Sequence, residues 1–97
     1  MTAKFEAEGL LSIRGRGLVV VGRIIEGSVK VGSTFSLQPI PNKLTVLTIE
    51  WVIAHDEKGN RREGLIGFLF SASSYQENSS WKDIKVKGRM IEFNDPD

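Results

Sequence analysis

Apolar and polar residues alternate with a period near two along most of the chain, which is the spacing of half-buried strands. Phe5, Ala7, Gly9, Leu11 and Ile13 interleave with Glu6, Glu8 and Ser12, predicting a first strand with a bend at Gly9. A turn at Arg14 to Arg16 leads into Leu18 to Glu26. There Leu18, Val20, Gly22 and Ile24 share the inward face, and Val19, Val21, Arg23 and Ile25 the outward one. Gly27-Ser28 and Lys30-Val31-Gly32 make the next corners. Phe35 and Leu37 alternate with Thr34, Ser36 and Gln38, and Pro39-Ile40-Pro41-Asn42 ends that ladder because proline brings no amide donor. Leu44 to His55 is the longest strand expected, paired with Leu65 to Ala72 across the turn formers Asp56-Glu57-Lys58-Gly59-Asn60. Ser71 to Ser80 reads as a polar loop with room for one helical turn, Val86 to Phe93 as the closing strand, and Asn94 to Asp97 as a frayed tail. About six or more short strands, glycine corners and no helical period predict an all-β fold, a small closed antiparallel β-barrel.

Composition narrows the function classes. The 97 residues make a single domain, 1–97, long enough for one core. The absence of cysteine excludes disulfides and thiolate metal sites. The longest apolar run, Leu18 to Val21, is far short of the ~20 residues that cross a membrane, and the first residues are acidic where a secretory signal is apolar. A soluble cytoplasmic protein with no membrane role is the expectation. Thirteen basic residues against twelve acidic ones leave a charge of +1, so any nucleic-acid site has to be a local patch. In the tract Lys82, Lys85, Lys87, Arg89 the last three alternate and would share one face of a strand. Arg14 with Arg16, and Arg61 with Arg62, are weaker clusters at turns. The alternative role for such residues is to keep sheet edges soluble.

The run from Gly15 to Gly32 places glycines at positions 15, 17, 22, 27 and 32 among β-branched residues. With Ser12-Ile13 in front, its Gly-Arg-Gly, Val-Val, Gly-Arg and Lys-Val-Gly steps closely resemble the opening of the second domain of the translational GTPases, such as elongation factor Tu. Thr48-Ile49-Glu50 resembles a later strand of that domain, Arg62 to Leu69 stands where it has a glycine-containing segment, and Lys87-Gly88-Arg89-Met90-Ile91 resembles its close. The similarity runs from about Glu8 to Ile91. It implies a β-barrel that, in some of those proteins, helps to hold the acceptor end of aminoacyl-tRNA or touches the RNA of the small ribosomal subunit. The family's pocket for the terminal adenosine uses a Glu and a Phe in the first strand, and a Glu with a following Arg in a later one. Glu8 and Glu50 match the two acids, while Leu11 and Ile53 stand where the Phe and the Arg would be. The loss of an arginine removes the group best suited to phosphate or carboxylate. The general excess of exposed glutamate favours reading Glu8 and Glu50 as solvated strand residues.

No catalytic constellation is present in the sequence. There is no Gly-x-x-x-x-Gly-Lys-Ser/Thr loop, so guanine nucleotide is not expected to bind, and Gly15-Arg16-Gly17 lacks the third glycine and the helix of a dinucleotide site. His55, the sole histidine, has only Asp56 and Glu57 beside it, which project in divergent directions, so neither a metal nor another cofactor is expected. Trp51, Phe35 and one of Phe68 and Phe70 read as core, leaving Tyr75 and Trp81 as the aromatics open to a binding surface. At the positions of Val21 and Ile25 the family usually has Thr and Glu, and Val52 shares the outward parity of Glu50. An apolar outer row of this kind suits a partner surface, unless a bulge changes the parity. The sequence thus reads as a non-catalytic binding module whose partner is a protein or a second copy, contacted through Val19, Val21, Arg23 and Ile25. The alternative is an RNA-binding accessory of translation, for tRNA or ribosomal RNA, using Glu8, Glu50, Lys85, Lys87 and Arg89. A small-ligand barrel is a third reading.

Overall fold

The computed structural model describes residues 2–51, 54–55, 57–62 and 64–96. Among these described residues nine strands follow in chain order: β1 (Thr2–Ile13), β2 (Gly17–Glu26), β3 (Thr34–Phe35), β4 (Leu44–Thr45), β5 (Thr48–Trp51), β6 (Ala54–His55), β7 (Arg61–Arg62), β8 (Ile66–Phe70) and β9 (Met90–Asn94). A single helical turn, α1 (Ser73–Glu77), and a 3-10 turn over Ser80–Asp83 fill the stretch between β8 and β9. Seven strands form one antiparallel sheet in the order β4-β3-β9-β1-β2-β8-β5, and β6 and β7 pair as a separate hairpin.

The fold is all-β, as the period of two dictates, and the sheet curls around one core. Its ladder does not close. β4 and β5 are the two edges, yet they are consecutive in the chain, separated only by Val46 and Leu47. Val46 exchanges hydrogen bonds with the chain before β3 (Val46 N–H to the Ser33 carbonyl and Gly32 N–H to the Val46 carbonyl, both 2.8 Å), whereas the Leu47 N–H donates to the Leu69 carbonyl on β8 at 2.8 Å. One chain segment therefore serves both edges, and the structure is a half-barrel with a seam rather than the closed barrel expected from sequence.

All five phenylalanines, Phe5, Phe35, Phe68, Phe70 and Phe93, are buried in that core, with ring centroids 4.6 to 5.7 Å apart. Edge-to-face contacts such as Phe5 on Phe93 add about 0.5 to 1.5 kcal/mol each beyond area burial. Leu18 and Val20 join them from β2, as alternation predicts. The outward face of β2 is covered too. Val19 and Val21 form a second small cluster with Leu65 and Leu69, on which Ile13 packs.

Two β-bulges set which side chains reach which face. On β1, Ala7 pairs with Gly22 and Gly9 with Val21, so Glu8 is the extra residue. Parity reverses there: Leu10 packs on the main core, Leu11 is exposed, and Ile13 goes to the outer cluster, contrary to the unbroken alternation read from sequence. On β2, Lys4 pairs with Glu26 and Phe5 with Ile24, which leaves Ile25 as the extra residue and exposed. Gly22 sits inside the first bulge, where a Cβ would collide with the Glu6 carbonyl oxygen and lie 2.9 Å from the Ala7 Cα. The sequence needs glycine there because two backbones meet.

Candidate interaction surface

The outer face over β1, β2, β8 and β5 is built from cross-strand rows. Leu11, Val19, Leu69 and Thr48 form one row, and Gly9, Val21, Gly67 and Glu50 the next. Val19 and Val21 are 2% and 8% exposed, which corrects the expectation that they stand open to solvent: Leu65, next to β8, and Leu69 cover them. The exposed apolar residues of this region are instead Leu11, at 52%, and Leu47, at 43%. Leu11 pairs directly with Val19 and so stands beside the buried cluster, while the Leu47 backbone N–H donates to the Leu69 carbonyl just ahead of β5.

A polar strap crosses the same face. Arg16, at the β1–β2 turn, donates through Nη2 to Glu50 Oε1 at 2.6 Å, and the Thr48 hydroxyl donates to the same oxygen at 2.9 Å. Thr48 and Glu50 are on β5, two strands away from β2 in the sheet order, so the ion pair links the β1–β2 turn to an edge strand. Sequence reasoning placed an arginine-sized gap at Ile53 and missed that Arg16 reaches Glu50. The two are 34 residues apart, and only the strand order brings them together.

The other interface residues are scattered. Arg23 is exposed and lies opposite Glu6, and Ile25 is exposed at its own bulge toward the far end of β2. Glu8 and Glu50 are both half-buried and have β2 and β8 between them, about 14 Å of sheet. Lys85, Lys87 and Arg89 do not share a strand, because β9 begins at Met90. Exposed Lys85 and Lys87 alternate with buried Ile84 and Val86, but a turn at Gly88, with φ +85°, breaks the alternation. Arg89 is turned away and donates through Nη1 to the Gln38 carbonyl at 2.6 Å. Tyr75 and Trp81 are partly buried against the main core rather than presented as a platform, with the Tyr75 hydroxyl donating to the Pro39 carbonyl at 3.2 Å. The expectations for the side chains of Trp51 and His55, and for Val52, Ile53 and Asp56, fall outside the described residues.

Among the described residues no group of three His, Asp or Glu side chains could hold a metal ion, and no helix is long and apolar enough to cross a membrane. Comparison of the chain with protein-family models, with characterised proteins and with solved structures found no match.

Proposed function

We propose that this chain is a non-catalytic binding module, built on a barrel like the second domain of the translational GTPases, and that its partner is a protein. One observation carries the reading. The outer face of β1, β2 and β8 holds an apolar cluster of its own, with Leu11 exposed beside it, Leu47 exposed just ahead of β5, and the Arg16–Glu50 ion pair joining the β1–β2 turn to β5. Exposed apolar side chains close to a polar rim are the anatomy of a protein interface. The glycine pattern from Gly15 to Gly32 supports the family resemblance. The RNA alternative keeps Lys85 and Lys87 as free surface cations but loses Arg89 to the Gln38 carbonyl.

The test is the pair of substitutions Leu11→Glu and Leu47→Glu, each at an exposed position, where surface changes alter stability by about 0.5 kcal/mol or less. The melting temperature should hold while self-association in sedimentation, or recovery of a defined partner from extract, falls. A protein that stays monomeric at high concentration, and whose partners are all retained by the double variant, would falsify the reading.

A further inference from the structure

A groove crosses the end of the half-barrel on which α1 sits. Two adjoining clefts share Ser71 and Ser73 as a common floor: one runs toward the β1–β2 turn with Arg14 and Arg16, the other toward Asn42 and Lys43 ahead of β4. We propose that this groove takes an extended acidic segment of the partner protein. The proposal rests on the protein-binding reading above and adds the chemistry of what is bound.

Charge points to an anionic occupant. Arg14, Arg16 and Lys43 line the two clefts against the single carboxylate of Glu77. Arg16 is already satisfied by Glu50, but Arg14 and Lys43, one at each end, are exposed and make no ion pair among the described residues. Between them the exposed hydroxyls of Ser71, Ser73 and Ser74 and the Asn42 amide are likewise without partners.

The same groups favour a peptide over a nucleic-acid strand. A peptide backbone alternates donors and acceptors, and serine and asparagine side chains both donate and accept. A single nucleic-acid strand carries a charge at every step, and the proteins that hold one typically add open aromatic faces on which its bases stack. The one aromatic along the groove, Tyr75, is packed on the core and tied to the Pro39 carbonyl. Exposed Pro41 supplies an apolar contact for an aliphatic side chain of the peptide.

The experiment is a nuclear magnetic resonance titration of the whole chain with three probes: a synthetic peptide of alternating glutamate and serine, its glutamine-for-glutamate counterpart, and a uridine oligonucleotide of equal charge. The acidic peptide should shift the amides of Arg14, Ser71, Ser73 and Lys43, and the neutral peptide should not. Arg14→Glu combined with Lys43→Glu, both at exposed positions, should weaken the acidic peptide by at least roughly tenfold without moving the melting temperature. No shift with the acidic peptide, an unchanged affinity in the double variant, or stronger shifts from the oligonucleotide overturns the proposal. These outcomes are separable from failure of the protein-binding reading: association that responds to Leu11→Glu and Leu47→Glu but not to the groove variant leaves that reading standing and removes this one.

Discussion

Gly22 shows how one residue fixes the geometry around it. Its neighbours at the bulge are backbone atoms of Glu6 and Ala7, which cannot rotate aside as a side-chain tip would. Gly22→Ala should therefore lower stability by about 3 kcal/mol, near the top of the range for forcing an atom into packed structure. At Gly27 the φ of +78° adds to a close approach, a Cβ there lying 2.6 Å from the Thr2 carbonyl oxygen, so Gly27→Ala should also be costly. Urea denaturation checks both, and a loss below about 1 kcal/mol at Gly22 would mean that the bulge relaxes. Val21 illustrates the converse. It faces outward, as its parity requires, yet Leu65 and Leu69 bury it, so Val21→Thr probes packing rather than a partner.

At the scale of elements, α1 depends on its surroundings. Five residues cannot sustain a helix in water, since nucleation outweighs so few hydrogen bonds, and none of its residues is buried. Gln76 compensates: its Nε2 lies within hydrogen-bond reach of Ser12 Oγ at 2.9 Å, the Ile13 carbonyl at 3.0 Å and the Gly17 carbonyl at 3.2 Å, fastening α1 to the β1–β2 turn. Gln76→Ala should cost about 1 to 2 kcal/mol globally and more locally. Hydrogen exchange at the amides of 75–79 should speed up by a larger factor than at Phe68, and equal acceleration at both would show that α1 is held by other contacts. The sequence made the strands of β1, β2 and β8 legible because alternation survives wherever one face is buried. It misplaced the second half of β1 because a bulge is a matter of pairing, visible only when Ala7 and Gly9 are set against Gly22 and Val21. The segment before β9 misled for a related reason. Ile84, Lys85, Val86 and Lys87 alternate in burial as a strand would, yet the segment runs unpaired over the core.

For the molecule as a whole, the choice between protein and RNA turns on how many cations are free and where they stand. The net charge of +1 supplies no general attraction for phosphate, and the curled sheet disperses the local cations. Arg89 is engaged with the Gln38 carbonyl, and Arg16 with Glu50. Of the basic face expected from Lys85, Lys87 and Arg89, only the two lysines remain to meet phosphates. Each phosphate neutralised on a single strand contributes about −0.7 to the log–log salt slope, so RNA held at this place should show a slope no steeper than about −1.4. An interface centred on Leu11 and Leu47 should instead hold or tighten as salt rises, because burial of apolar surface is strengthened by excluded salts while exposed charges are screened. Fluorescence anisotropy of a labelled uridine oligonucleotide across a salt series is the measurement, with Lys85→Glu and Lys87→Glu as the control. A slope near −2 or steeper, lost in that double variant, would show that Arg89 leaves Gln38 to join the lysines, and would favour the RNA-binding reading over the proposed protein-binding one.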